Sequence, residues 1–149
     1  MVLVHSPFSK TPDNIPKDGK TAQGNGQALP NFRDMTLYAD KIVGRIISAL
    51  DRNNLRNNTV LIYTTDNGTH RNLTYSFGAE PRNGEKAHAT DGGSHSPLII
   101  NCPGTVPMGI ITDDLVDFSD FLPTIADITG APLPSVKLDG RSFWPQCLG

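Results

Sequence analysis

Seven consecutive residues, Thr59-Val-Leu-Ile-Tyr-Thr-Thr65, carry only apolar, aromatic or β-branched side chains. A strand with one wet face alternates polar and apolar residues, whereas a run without alternation is what a strand covered on both faces of a parallel sheet requires. The run ends abruptly at Asp66-Asn67-Gly68, and a second short run, Pro97-Leu-Ile-Ile-Asn101, ends at the turn Cys102-Pro103-Gly104. Buried strands of this kind need helical layers around them. The expectation is therefore an α/β fold with a mostly parallel sheet flanked by helices.

The helical layers are also legible. From Asp34 to Asn54 the apolar residues Met35, Tyr38, Ala39, Ile42, Val43, Ile46, Ile47 and Leu50 recur with the spacing of one buried helical face. Asp34 is placed to cap the first turn, and the Asn-rich stretch Asp51-Arg-Asn-Asn-Leu-Arg-Asn-Asn58 to end the helix. A second helical pattern runs through Leu115, Phe118, Leu122, Ile125, Ala126 and Thr129 and stops at Gly130 and Pro132. Pro123 must then sit near the first turn or kink the helix. Residues 9–30, rich in Pro, Gly, Asn and Lys without either hydrophobic period, read as a long surface loop. The tail from Ser135 carries turn chemistry without periodicity.

At 149 residues the chain fits a single domain. A net charge of −2 gives no basic excess to drive binding to nucleic acid, and no apolar run approaches the ~20 residues of a bilayer span. No signal peptide is visible, so localisation stays open. Cys102 and Cys147 lack any CxxC companion; they either pair in an oxidising compartment or, more commonly, remain thiols. Three Asn-x-Thr sequons, at Asn57, Asn67 and Asn72, carry meaning only in a eukaryotic secretory pathway.

Three places carry groups capable of chemistry. Asp66 and Asn67 end the first buried strand, where ligands of open α/β sheets collect, and both offer the oxygen that a hard cation takes. Asp-Asn-Gly is equally the chemistry of a tight turn. The loop Gly84-Glu-Lys86-Ala-His88-Ala-Thr-Asp91-Gly-Gly-Ser-His95 sets one lysine and two histidines before the second strand. Lys86 there is either a point charge for an anionic ester or a solvated loop cation. His5, near Pro7, is either an acid catalyst or a surface imidazole.

The order of these pieces resembles the sulfatase family of the alkaline phosphatase superfamily. His5-Ser-Pro7 is similar to its His-x-Pro segment, and Asn58-Thr-Val-Leu-Ile-Tyr-Thr-Thr-Asp66-Asn67-Gly68 to its NTLVIFTSDNG signature. Tyr38-Ala-Asp40-Lys-Ile-Val43-Gly44 resembles the preceding helix. Lys86 with Asp91-Gly92-Gly93 resembles its Lys-x4-Glu-Gly-Gly loop, with Asp in place of Glu. Pro97 to Gly104, Leu115-Val-Asp117 with Pro123-Thr124 and Gly130, and Asp139-Gly140-Arg-Ser142 follow in the family's order. The resemblance implies a sulfuric ester hydrolase site. In it Asp66 and Asn67 bind a divalent cation, Ca²⁺ or alternatively Mg²⁺. Lys86 holds the sulfate and steadies the leaving oxygen, and His5 contacts sulfate or protonates that oxygen. The substrate class implied is a sulfate ester. His70, His88 and His95 match no motif position and stand as loop residues or substrate contacts.

The family's nucleophile is a formylglycine made within a CxPSR segment. Neither Cys102 nor Cys147 is followed by Pro-Ser-Arg, and the paired N-terminal Asp ligands are also missing. The expectation is a single partial sulfatase domain over 1–149, the later part of the large domain. Its cation site is incomplete and it is inactive by itself. Uncovered strands would favour self-association or pairing with a missing N-terminal half. The alternatives are a noncatalytic anion-binding or interaction module derived from the fold, and a phosphate or phosphonate ester hydrolase of the same superfamily. A CxPSR segment encoded upstream of Met1 would decide for the enzyme.

Overall fold

The computed structural model describes residues 28–77 and 79–149, with side chains from Asn31 to Ser76 and from Ala79 onward. His5 and residues 9–27 of the expected loop lie outside the described residues. The described chain divides into two compact units, one containing residues up to Asn54 with Tyr63–Leu98, the other Leu55–Ile62 with Ile99–Gly149.

The first unit opens with the long helix α1 (Ala28–Arg52). It starts earlier than the expected boundary at Asp34, taking in residues 28–30 of the expected loop. Pro30 is compatible with this because a first-turn N–H has no partner to lose. Asp34 therefore lies inside the helix and is not its N-cap. Termination follows expectation: Asn53 turns both its N–H (3.2 Å) and its Nδ2 (2.7 Å) onto Ala49 O. Asn54 then takes the left-handed conformation with φ 56°. Met35 and Asn31 are buried near the start of α1, while Ile42, Val43, Ile46 and Ile47 are half-buried.

Strand β1 (Leu61–Thr64) is the core of the apolar run, and a hairpin of β2 (Thr74–Phe77) and β3 (Glu80–Asn83) follows it. The hairpin is antiparallel, with Thr74 opposite Asn83 and Phe77 opposite Glu80. The short helix α2 (Asp91–Ser94) leads into β4 (Leu98–Asn101), which pairs with β1 in a two-stranded sheet. The described residues hold helices and two small sheets, β1–β4 and the antiparallel β2–β3, which by themselves do not make up the expected mostly parallel sheet. Every residue of β1 is half-buried and Ile99 of β4 is 58% exposed.

The second unit is built on α3 (Phe121–Thr129), entered through a 3₁₀ turn, Phe118–Asp120. Asp117 caps this turn, its carboxylate accepting Ser119 N–H at 2.8 Å while Asp120 Oδ2 accepts Asp117 N–H at 2.8 Å, a reciprocal capping box. The Ser119 backbone N–H, with its side chain second, holds the Asp117 carboxyl below its usual range. Pro123 lies in the first turn of α3, as expected, and Gly130 ends the helix at φ 69°.

The expected apolar face of this helix differs from the buried one. Leu115, Phe118, Leu122 and Ile125 are 49–100% exposed; of the expected residues Ala126 is buried, together with Pro123 and Thr124. The reason lies in the tail, which docks on Thr124. Its hydroxyl donates to Asp120 O (2.7 Å) and accepts Phe143 N–H (2.9 Å). Asp120 Oδ1 accepts Arg141 N–H (2.7 Å), and Ser142 Oγ donates to Asp127 (2.7 Å). Phe143 meets Phe121 edge-on at 5.4 Å and is buried. The short helix α4 (Trp144–Leu148) closes the chain. Cys102 and Cys147 are both free thiols, the first buried; burial pushes the Cys147 thiol upward, and its Sγ donates to Phe143 O.

Candidate functional site

The turn after β1 is held by its own side chains. Thr65 Oγ1 donates to Asn67 O at 3.0 Å, and Asn67 Nδ2 donates to Gly68 O at 2.8 Å, which leaves the Asn67 amide oxygen as its free end. Asp66 is exposed. Gly68 is buried where its N–H donates to Gly93 O at 2.8 Å, and a Cβ added there would lie 2.1 Å from Gly92 O. Glycine is required because two backbones touch at this point.

The lysine loop is fastened to the same turn at several places. Gly84 N–H donates to Leu73 O (2.9 Å) and Lys86 N–H to Thr69 O (3.0 Å), and Leu73 is almost wholly buried beneath them. Added Cβ atoms at Gly84 and Gly93 would strike the carbonyls of His70 and His88, at 2.2 and 2.1 Å. Within the loop His88 N–H donates to Glu85 O (2.9 Å), and Thr90 Oγ1 donates to the Glu85 carboxylate (2.5 Å). Between them Ala87 is forced to φ 79°, a conformation costly for a residue with a Cβ. Asp91 lies 3.2 Å from Arg82 Nη1 and 3.3 Å from His95 Nδ1.

Both stretches singled out in the sequence thus belong to one unit, and the Lys86 amide bonds to the residue two places after Asn67. Lys86 is half-buried. Asp66 and Asn67 Oδ1 offer hard oxygen donors at the strand end, which suits Ca²⁺ or Mg²⁺ in kind. In number they fall short, since among the described residues no group of three or more His, Cys, Asp or Glu is gathered for a metal. His5 lies outside the described residues. His70 accepts the Asn72 N–H at 3.2 Å and so shapes the turn before β2, while His88 is exposed.

Sequence reasoning missed the β2–β3 hairpin and the Arg82 contact it delivers to Asp91. Thr74-Tyr-Ser-Phe77 before Gly78 carried a strand signal, but Pro81 argues against a strand anywhere except an edge. The Glu85–Thr90 bond was also missed, and no spacing rule would have revealed it. A cavity of about 450 Å³ in the second unit, lined among others by Pro123, Ala126, Leu133, Val136 and Arg141, contains none of the sequence-predicted site residues. Among the described residues no helix is long and apolar enough to cross a membrane.

Comparison with known proteins adds to this geometry. A family model described as Sulfatase matches residues 3–131. Arylsulfatase of Hemicentrotus pulcherrimus is 34% identical over 114 residues, covering 75% of this chain and 20% of that protein. Arylsulfatase A of Homo sapiens is 36% identical over 120 residues, 79% of this chain and 23% of that protein. Steryl-sulfatase of Rattus norvegicus is 31% identical over 132 residues, 83% and 23%. The chain spans about a fifth to a quarter of the length of the curated relatives it matches.

Proposed function

Because the chain belongs to the sulfatase family, we propose that it carries the cation end and the lysine of a sulfuric ester hydrolase site. In this reading Asp66 and Asn67 Oδ1 hold a divalent cation, Ca²⁺ or Mg²⁺, and Lys86 holds the sulfate of a sulfate ester. The supporting observation is the pair of backbone bonds, Gly68 N–H to Gly93 O and Lys86 N–H to Thr69 O, that ties the two motifs into one small unit.

The chemistry asked of these residues is electrostatic. The Lys86 ammonium neutralises charge on the sulfate oxygens and steadies the oxygen that departs with the alcohol or phenol. His5 contacts sulfate or gives that oxygen its proton. A bound divalent cation supplies further neutralisation of a sulfate oxygen. Asp66 and Asn67 contribute two ligands toward the 6 to 8 that Ca²⁺ takes, so water completes the shell and the ion is held weakly. Neither cysteine stands before Pro-Ser-Arg, so no formylglycine arises within these 149 residues and they do not turn over a sulfate ester unaided.

Inorganic sulfate titrated into the 149-residue chain tests the reading. Binding that Lys86→Ala removes, with no hydrolysis of an aryl sulfate, is the expected result. Sulfate binding indifferent to Lys86→Ala refutes the lysine's role, and a turnover rate abolished by Lys86→Ala refutes the inactivity.

A further inference from the structure

The residue that follows Lys86 is the strained one. Ala87 holds φ 79°, and a residue with a Cβ stays in such a conformation only when its surroundings over-determine it. Two contacts bracket it: His88 N–H donates to Glu85 O at 2.9 Å, and the Thr90 hydroxyl donates to the Glu85 carboxylate. The Glu85 side chain also lies against Gly92, where an added Cβ would come within 2.9 Å of Oε2 and 3.2 Å of Cγ. Glu85 thus spans its own loop from the lysine to the Gly-Gly pair that bonds back to Gly68.

We infer that Glu85 and Thr90 are positioning residues for Lys86: their hydrogen bond closes residues 85–90 into a ring and keeps Ala87 strained, which fixes the backbone from which Lys86 reaches an oxyanion. The inference rests on the reading of Lys86 as a sulfate-holding residue. It has an unusual sign. A carboxylate beside an anion-binding lysine repels the anion, so simple charge arithmetic has Glu85→Ala strengthen sulfate binding. If Glu85 acts through its bond to Thr90, the same substitution weakens it.

The experiment is a sulfate titration of the 149-residue chain and its variants at low ionic strength, read from the backbone amide resonances of the loop. Glu85→Ala and Thr90→Val each weaken sulfate binding by about tenfold, the scale of a lost hydrogen bond to a charged acceptor, and together they do no more than either alone. Glu85→Gln, which keeps an acceptor for the Thr90 hydroxyl while dropping the charge, binds at least as tightly as the parent. Ala87→Gly, which removes the strain, restores part of what Glu85→Ala loses.

Sulfate binding that is lost in Lys86→Ala but unchanged or tighter in Glu85→Ala overturns the positioning role and leaves the function of Lys86 standing. Binding unaffected by Lys86→Ala, or absent from the parent chain, overturns both. Hydrogen exchange at the Lys86 amide, which donates to Thr69 O, reads the clamp without sulfate. It is expected to quicken by about tenfold in Glu85→Ala and Thr90→Val and not in Glu85→Gln; equal exchange in all four chains overturns the clamp.

Discussion

The Lys86 amide donates to the carbonyl oxygen of Thr69 at 3.0 Å, and Thr69 stands two residues beyond Asn67. Two motifs nearly twenty residues apart are thereby fixed at their backbones, whatever their side chains do. Between them runs the β2–β3 hairpin, which starts and ends beside this junction, since Gly84 at its foot bonds to Leu73 at its head. The hairpin is a local excursion that leaves the two motif loops side by side.

The junction depends on glycines with no room for a side chain. Gly68→Ala would put a Cβ 2.1 Å from the Gly92 carbonyl. Separating the loops is expected to cost about 3 kcal/mol. Gly44, in the middle of α1, has nothing within 4 Å of an added Cβ, and Gly44→Ala is expected to stabilise by about 0.5–1 kcal/mol through helix propensity. Urea unfolding of the two variants, moving in opposite directions, checks both. A neutral Gly68→Ala would show that the loops are not in contact.

Ala87 gives the reverse case. Its φ of 79° costs an L-residue about 1–2 kcal/mol, and Gly is free of that cost but pays more entropy on folding. Ala87→Gly is therefore expected to raise stability by about 0.5 kcal/mol, measured as a higher denaturation midpoint at unchanged slope. A loss of stability would place Ala87 in ordinary backbone.

In the second unit the fully buried Thr124 hydroxyl joins α3 to the tail through Asp120 O and Phe143 N–H. Thr124→Val preserves shape and removes the acceptor, leaving a buried N–H without a partner, and is expected to destabilise by about 2 kcal/mol. Thr124→Ser keeps the hydroxyl and loses one methyl, for about 1 kcal/mol. Calorimetry on the two variants distinguishes the hydrogen bond from packing: a loss in Thr124→Ser with none in Thr124→Val would assign the effect to the methyl.

Asp117 sets an acid-side dependence. Its carboxyl is held below the ordinary 3.8 chiefly by the Ser119 backbone N–H. The folded chain therefore binds that proton less readily than the unfolded one. The contribution is complete above 3.8 and fades as pH falls through the lower folded value. Asp117→Ala should flatten the stability profile in that acid range while leaving its shape at neutral pH unchanged. A profile with the same acid slope in both chains would show that Asp117 is not the group responsible.

These tests fall on features of unequal visibility in the sequence. The apolar run around β1 and the helical spacing of α1 are legible because each is a local pattern with one physical solution. Pro123 and Gly130 mark the ends of α3 for the same reason. The start of α1 at Ala28 is hidden, since Gly, Gln and Pro around it suggest a loop and Asp34 looks like a cap. The exposed Leu115, Phe118, Leu122 and Ile125 are misread because spacing identifies an apolar stripe without saying which stripe is buried. That choice was made by hydrogen bonds to a tail some twenty residues later. At the candidate site, residue types and order are legible, whereas the backbone junction and the Glu85–Thr90 bond exist only in three dimensions.

The proposed site requires the Asp66–Asn67 end and the Lys86 side chain to face the same cation. A paramagnetic stand-in for Ca²⁺, such as Gd³⁺, titrated into the isotope-labelled chain measures this most directly through broadening of the Lys86 side-chain signals. Broadening at Lys86 together with Asp66 and Asn67, abolished by Asp66→Ala, is the expected result. Lys86 signals that stay sharp while those of Asp66 and Asn67 broaden would contradict it, as would broadening that survives Asp66→Ala.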